Sequence, residues 1–253
     1  MLKNFKKAIF RVLCLGLLGG GGLMAEPNPE ELFDLGVKSS EAKDYIQAKK
    51  YFEKVCGLNN GGGCGALGDL YDDGKGVEKN LIKAAQLYTK ACELKEGVGC
   101  KRLWSLYYYG RGVEKNLTKA AQYASKACDL NNGGGCGNLG FLYGSGKGVE
   151  KNLIKAAYFY SKACDLNNGG GCGNLGVLYQ KGEVVEKNLT KAAYLYSKAC
   201  ELKESFGCGA LAMLYINGQG VEKNLTKAAQ YISRACKLGD QKACEALKEI
   251  KEK

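Results

Sequence analysis

The chain has 253 residues, with 37 lysines and arginines against 26 aspartates and glutamates, and it contains no histidine. Without histidine, serine–histidine triads and histidine-bearing metal centres are excluded, and the most common general base of enzymes is missing. The basic residues are spread along the chain and form no stripe within a recognisable module, so we expect no nucleic-acid partner.

The first 25 residues are typical of a cleavable signal peptide. Four basic residues accompany an apolar stretch from about residue 8 to 18, and the small Ala25 precedes a polar segment. A retained membrane anchor is the alternative interpretation. No later apolar run approaches the roughly 20 residues of a membrane helix. We therefore expect no membrane span after processing near Ala25, and a secreted or periplasmic protein.

The first unit after this segment, residues 28–61, begins with Asn-Pro-Glu-Glu, which reads as a helix cap, a proline at the first helical position and an acidic first turn. Its further pattern resembles a tetratricopeptide repeat with a tighter turn.

The rest of the chain repeats with a period of 36 residues. Twelve cysteines form pairs that lie eight positions apart, and Leu-Tyr, Lys-Ala-Ala and Gly-x-Gly-Val-Glu-Lys-Asn recur in the same register. A fixed period in this range is typical of a solenoid, in which each unit packs only against its neighbours.

Each unit reads as two helices. In residues 134–145, Cys136, Leu139, Gly140 and Tyr143 share one helical face. Residues 152–165 continue that spacing after Asn152, a good N-cap. The Gly-Lys-Gly-Val segment between them predicts a turn with glycine at positive φ.

These patterns predict an all-α fold, an α/α superhelical solenoid in one repeat domain over residues 26–253. After the first unit come five repeats and a C-terminal capping helix. Their predicted bounds are 62–97, 98–133, 134–169, 170–205, 206–241 and, for the capping helix, 242–253.

The pattern LGxLYxxGxGVxxNxxKAxxxYxKA resembles the Sel-one-like repeat, a relative of the tetratricopeptide repeat. Cysteines stand where such repeats usually carry alanines eight apart. Together with the predicted signal peptide, they make the chain similar to the secreted Helicobacter cysteine-rich protein family. The resemblance implies a right-handed superhelix of disulfide-linked helix pairs, exported from a bacterial cell. It also implies binding of penicillin, because members are classed as candidate β-lactamases.

Evenly spaced cysteines in an exported protein favour disulfides within each pair. Zinc is the alternative, and it is disfavoured because the chain has neither histidine nor a CxxC motif, so we expect no metal and no cofactor. The predicted disulfides are Cys56–Cys64, Cys92–Cys100, Cys128–Cys136, Cys164–Cys172, Cys200–Cys208 and Cys236–Cys244.

The stretch CDLNNGGGCGNLG occurs unchanged at 128–140 and at 164–176. Its glycines lack the Gly-Lys-Ser/Thr of a phosphate-binding loop. We interpret it as the hinge between consecutive helix pairs, in which glycines allow the chain to reverse.

A catalytic site is weakly indicated. Penicillin-recognising serine enzymes use Ser-x-x-Lys together with Ser-Asp-Asn and Lys-Thr-Gly elements. The chain contains Ser40-Glu-Ala-Lys43 without either companion motif. Ser40 as nucleophile with Lys43 as base is the candidate, and a solvated helix end is the alternative.

Residues that differ between units suggest a ligand groove. Counted from the first-helix cysteine, positions +2, +5 and +9 lie opposite the core stripe, on the helix that lines the concave surface of tetratricopeptide-like solenoids. Relaxed surface variation is the alternative interpretation. The groove candidates are Asp69, Asp73, Arg102, Ser105, Tyr109, Asn138, Phe141, Asn174 and Lys181.

Two functions remain open from the sequence. The first is binding, with slow hydrolysis, of a small-molecule β-lactam or peptidoglycan fragment. In it Arg102 and Lys181 pair with a carboxylate and the asparagines with amides. The second is a non-catalytic scaffold for an extracellular protein or peptide.

Overall fold

The computed structural model describes residues 28–184 and 186–251, so the predicted signal peptide lies outside the described residues. Across these ranges the chain forms thirteen helices in succession and no strand. The all-α solenoid predicted from the sequence is thereby confirmed. None of the helices in these ranges is long and apolar enough to cross a membrane.

Six helix pairs follow one another, and a thirteenth helix ends the stack. The first helices of the pairs are α1 Pro29–Glu41, α3 Gly61–Asp73, α5 Gly97–Tyr109, α7 Gly133–Ser145, α9 Gly169–Lys181 and α11 Ser205–Asn217. The second helices are α2 Tyr45–Gly57, α4 Leu81–Glu93, α6 Leu117–Asp129, α8 Leu153–Asp165, α10 Leu189–Glu201 and α12 Leu225–Lys237, and the last helix is α13 Gln241–Lys251.

The stack curves toward the first helices. From α3 to α11, each first helix contacts the first helix of the next pair, whereas contacts between successive second helices within the described residues are weaker. The shorter spacing on one side places the first helices on the inner surface of the array. We call this surface the groove.

Helix ends follow local chemistry. Asn152 caps α8 because its side chain accepts a hydrogen bond from the backbone N–H of Lys155 at 2.9 Å. Gly146 ends α7 at φ 71°, and Gly148 in the same turn has φ 74°. The predicted positive-φ glycine turn between the two helices is therefore confirmed.

The reversal between pairs differs from the expectation. Gly133, Gly134 and Gly135 lie inside the first turn of α7, and the positive φ of 56° belongs to Asn131. The prediction that these glycines allow the chain to reverse was wrong. Asparagine takes this left-handed conformation more easily than most residues, because its short polar side chain bonds locally.

Gly135 is instead required by packing. A Cβ on Gly135 would lie 2.4 Å from the Cβ of Ala127 and 2.9 Å from the backbone nitrogen of Cys128. A Cβ built on the equivalent glycine of every other described pair from α3 to α11 would lie 2.5 to 2.6 Å from a side-chain atom of the preceding helix. Glycine here lets consecutive helices approach until their cysteines meet.

The six predicted disulfides are all present, each with Cα atoms 4.4 to 4.7 Å apart. Five of them join a second helix to the next first helix, and the sixth joins α12 to α13. Most of the bonded cysteines are buried. The cysteine pairs are disulfides, as predicted. They link every helix pair to the next in a thin molecule.

A glycine on the first helix faces an aromatic ring on the second helix in most units. Built Cβ atoms on Gly68, Gly140 and Gly176 would lie 2.6 to 2.7 Å from ring atoms of the tyrosines at 88, 160 and 196. The ring of each tyrosine thus fills the space over a glycine.

The recurring Lys-Ala-Ala and Leu-Tyr motifs are explained by one contact. The lysine ammonium lies over the tyrosine ring at 4.3 to 5.4 Å from its centroid in five successive units, a cation–π contact of about 0.5–1 kcal/mol at an exposed site. The repeated lysine of this motif therefore joins the second helix to the first helix within each of these units.

Candidate binding groove

A cavity of the groove with a volume of about 590 Å³ lies across α5, α7 and α9. It is lined by Lys101, Arg102, Trp104, Ser105 and Tyr109 of α5, Gly134, Gly137, Asn138 and Phe141 of α7, Asn168, Gly170 and Asn174 at α9, and Glu204 just before α11. We call it the central cavity. Its lining combines cationic, amide and aromatic groups.

The central cavity exists because side chains are missing where successive first helices meet. Between α9 and α11 the ring of Phe206 fills this junction, 3.2 Å from a Cβ built on Gly173. Between α7 and α9 the equivalent residues are Gly170 and Gly137, so no aromatic ring fills the junction. The smaller side chain of Asn168 lies there, with Oδ1 3.1 Å from a Cβ built on Gly137. A Cβ on Gly170 would meet nothing closer than the side chain of Asn168 at 3.5 Å.

One ion pair crosses the groove beside the cavity. Arg102 on α5 lies against Asp69 on α3, with Nη2 donating to Oδ2 at 3.1 Å and Nε 2.9 Å from Oδ1 without a well-directed hydrogen bond. The hydroxyl of Tyr88 donates to Oδ1 of the same carboxylate at 2.7 Å. Burial and the neighbouring Asp69 raise the pKa of Tyr88. The charge of Arg102 is thus largely engaged within the protein.

Lys101 is the second cation of the cavity. No carboxylate of the described residues lies within 4 Å of its ammonium. Burial, and then the positive charge of Arg102, lower the pKa of Lys101. Its amine is therefore the cationic group of the cavity that has no ion-pair partner in the described chain.

Aromatic rings form the wall on the α5 side. Trp104 stacks on Tyr108 at 5.3 Å between ring centroids, and Tyr108 meets Phe141 edge to face at 6.0 Å. Lys147 lies over Phe141 at 5.4 Å and donates to the hydroxyl of Tyr108 at 2.9 Å. Within the described chain the indole N–H of Trp104 has no hydrogen-bond partner.

The model of the Sel1 repeat matches six segments of the chain. They are 33–60, 63–96, 98–132, 135–168, 171–204 and 205–240, and together they take in most of its length. The chain belongs to the Sel1 repeat family. The match includes the first unit, which the sequence pattern alone related to tetratricopeptide repeats.

Two solved Sel1-type structures share the fold of this Sel1 repeat protein. A Sel1 repeat protein from Oxalobacter formigenes has a TM-score of 0.76 at 27% identity, over 85% of this chain and 86% of the other. A protective antigen of uropathogenic Escherichia coli with an SLR fold also has a TM-score of 0.76, at 26% identity, over 88% of this chain and 49% of the other.

The Sel1 repeat protein is also similar to cysteine-rich proteins of Helicobacter pylori. Its identity to "Putative beta-lactamase HcpC" of strain J99 is 62% over 81 residues, which are 32% of this chain and 28% of the relative. Its identity to "Beta-lactamase HcpA" of the same strain is 53% over 81 residues, or 32% of each chain. The aligned segments span about a third of the length of these relatives. The similarity to Helicobacter cysteine-rich proteins expected from the sequence is thereby shown.

Six of the sequence-predicted groove residues of the Sel1 repeat protein lie together around the central cavity. They are Arg102, Ser105, Tyr109, Asn138, Phe141 and Asn174. Lys181 lies apart, in a neighbouring cavity of about 440 Å³, and its ammonium is 3.5 Å from Glu183. Asp69 and Asp73 line a third cavity of about 370 Å³ toward the N-terminal end.

Sequence reasoning missed Lys101, Trp104 and Gly170. Lys101 lies at position +1 from its cysteine, where Gly65, Gly137, Gly173 and Gly209 stand in the other repeats. This departure from glycine is the feature of the sequence by which Lys101 could have been found. The glycines were interpreted only as hinge residues, so the gap between Gly137 and Gly170 went unnoticed.

The serine–lysine candidate is not assembled as a catalytic pair. Ser40 lies in the last turn of α1, and Lys43 follows that helix with φ 62°. Among the described hydrogen bonds none joins the two side chains. Ser40 lines the third cavity beside Asp73, whereas Lys43 does not. The geometry supports the alternative interpretation of this segment, a helix end.

Proposed function

We propose that the central cavity binds β-lactams and related peptidoglycan fragments, and that it does so as a binding site without turnover. The observation that carries the proposal is the composition of this one cavity. A β-lactam antibiotic such as benzylpenicillin presents a carboxylate, amides and an aromatic side chain, and the cavity offers a matching group for each.

The carboxylate is matched by the ammonium of Lys101, which has no ion pair of its own within the described chain. Asn138 and Asn174 supply amide donors and acceptors, and Trp104 and Phe141 supply apolar surface. The names of the Helicobacter pylori relatives motivate the choice of β-lactams. Binding without turnover is proposed because the chain has no histidine and, within the described residues, no hydrogen bond joins the side chains of Ser40 and Lys43.

The proposed location is outside the reducing cytoplasm, in the periplasm or beyond. Six disulfides support it, since such bonds persist in oxidising compartments. The basic and apolar residues 1–25 would provide the export signal. Fractionation of cells that express the full chain tests this: recovery of the protein with oxidised cysteines from the periplasm or the medium supports it, and recovery with reduced cysteines from the cytoplasm contradicts it.

The binding proposal is tested by filling the cavity. Gly170→Phe introduces at the α7–α9 junction the ring that Phe206 already places at the α9–α11 junction. Gly170→Ala is the matched control, because a methyl group fits there without a close contact. Calorimetric titration with benzylpenicillin and with a muropeptide stem should show binding to the wild type and to Gly170→Ala, and a loss of binding by Gly170→Phe.

Three results would contradict the binding proposal or the absence of turnover. Equal affinity of wild type and Gly170→Phe for both ligands would place binding elsewhere, and no heat with either ligand would remove the proposal. Release of more than one equivalent of product from a chromogenic cephalosporin would contradict binding without turnover. Thermal unfolding of each variant checks that the fold is retained.

A second candidate function is capture of an extended peptide along the groove. It is favoured by apolar side chains that are exposed on the first helices on both sides of the central cavity: Tyr109 is 61% exposed, Phe206 48% and Met213 55%. Met213→Glu should then weaken the binding of an apolar peptide while the affinity for benzylpenicillin stays unchanged. Unchanged peptide binding would remove this candidate.

A further inference from the structure

Lys101 occupies a position that the array otherwise keeps free of side chains. The equivalent residue is glycine in the four repeats at 65, 137, 173 and 209. The lysine side chain runs over α7, where its Cδ lies 2.9 Å from a Cβ built on Gly134. The glycine at 134 thus leaves room for the lysine stem, and packing against α7 holds the amine at the cavity.

The charges around Lys101 leave its amine without an acidic partner. Asp69 is the acidic group that acts on it most, but the carboxylate of Asp69 already accepts hydrogen bonds from Arg102 and Tyr88. The other titratable groups of the cavity are Tyr109 on α5 and Glu204 before α11. Burial and the positive charge of Arg102 lower the pKa of Lys101 and so increase the fraction of neutral amine at a given pH.

We propose that Lys101 is a nucleophile, and that a β-lactam bound in the central cavity acylates its Nζ. The inference rests on the proposed function. Once the Lys101 ammonium that pairs with the ligand carboxylate has lost a proton to solvent, the neutral amine attacks the carbonyl carbon of the four-membered ring. A new C–N bond forms, and the ring C–N bond breaks. The proton that Nζ loses goes to the former ring nitrogen. No oxidant, reductant or further reactant is consumed.

The product of this step is an ordinary amide between Lys101 and the opened β-lactam. An amide resists hydrolysis far better than the ester that a serine nucleophile would give. Each protein molecule therefore captures one β-lactam and does not release it. This stoichiometric capture agrees with a site that has no histidine to activate water for a second step.

The experiment is incubation of the full, oxidised protein with benzylpenicillin at pH 8, followed by mass spectrometry of the intact protein and of its peptides. The expected result is one added benzylpenicillin mass, located on Lys101. The adduct should form faster on Lys101 than on the exposed Lys79, because Lys101 lies in the cavity that holds the ligand. The rate should also rise with pH until the amine is fully neutral.

Two variants test where the adduct forms. Lys101→Arg has no nucleophilic amine, so it should lose the adduct. Lys79→Arg should change neither the adduct nor the reversible binding of benzylpenicillin. Wild-type binding without an adduct on Lys101, or equal labelling of Lys101 and the exposed lysines, overturns the acylation alone. An adduct that hydroxylamine releases would be an ester, on a residue such as Ser40, and would also overturn it. Absence of reversible binding overturns the proposed function itself.

Discussion

Trp104 on α5 packs beside Ala124 on α6, which reverses the arrangement of large and small residues found in the neighbouring units. The units on either side have glycine at the first of these positions and a tyrosine at the second, as in the pair of Gly140 and Tyr160. The exchange moves the large side chain from the second helix to the first. Its consequence is that the large ring now belongs to the inner helix, where it lines the central cavity.

This exchange predicts a strong coupling between the two positions. Trp104→Gly alone should lower the free energy of unfolding by about 3 kcal/mol because it leaves a cavity. Ala124→Tyr alone should cost about 1–3 kcal/mol through overpacking. The double variant restores the arrangement of the neighbouring units and should recover most of both losses. Denaturant titration of all four proteins measures the coupling, and additive losses would contradict the exchange.

The disulfides predict a local and measurable stabilisation. Replacing both Cys128 and Cys136 by alanine opens a loop of nine residues, and the chain-entropy model gives a loss of up to about 2.5 kcal/mol. Urea unfolding of the oxidised proteins should show it. Peptide mapping of the unreduced wild type provides the control, and a bond from Cys128 to a cysteine of another unit would contradict the pairing.

Two glycines, one from each copy of CDLNNGGGCGNLG, should differ in how much stability they lose on replacement by alanine. Gly135→Ala places a Cβ 2.4 Å from that of Ala127 and should cost about 2 kcal/mol through overpacking. Gly170→Ala meets no atom within 3.4 Å and should change stability by no more than about 0.5 kcal/mol. Thermal and urea unfolding compare the two. Equal effects would contradict the distinction between packing glycines and cavity glycines.

The buried tyrosines predict a loss of stability at alkaline pH. Burial raises the pKa of Tyr160 and of Tyr196 to about 12, whereas in the unfolded chain both titrate near 10. Between these values the unfolded state loses the proton and the folded state keeps it, so the free energy of unfolding falls as pH rises. The fall is at most about 1.4 kcal/mol per pH unit for each tyrosine.

Tyr160→Phe should remove its share of this pH dependence, as measured by urea unfolding at successive pH values above 10. The exposed Tyr158 provides the control, since its replacement by phenylalanine should leave the slope unchanged. The ultraviolet absorbance of tyrosinate in Tyr160→Phe should lose a component that titrates near pH 12 in the wild type. A Tyr160→Phe slope equal to that of the wild type would contradict the assignment.

The solenoid could be predicted from the sequence because its determinants are local and repeat every 36 residues. The cysteine spacing, the asparagine caps and the apolar stripe each fix one helix or one junction. The reversal at Asn131 was assigned to the following glycines, since glycine and asparagine both tolerate positive φ and stand side by side. Spacing alone does not distinguish them.

The candidate site could be predicted only in part. The sequence predicted the helical face at positions +2, +5 and +9. It did not show which side chains of neighbouring helices contact one another. Arg102 was expected to bind a ligand carboxylate, although the structure places it against Asp69, 33 positions earlier. The central cavity depends on side chains absent from two helices at once, at Gly137 and Gly170, and that requires the spacing between helices to be known.

The most direct test of a ligand site in the central cavity uses the fluorescence of Trp104, which is the single tryptophan of the chain and lines that cavity. Titration of the oxidised protein with benzylpenicillin should change the intensity and wavelength of its emission in a saturable way, and Gly170→Phe should abolish the change. Emission that stays constant while calorimetry reports binding would place the ligand elsewhere and contradict the account.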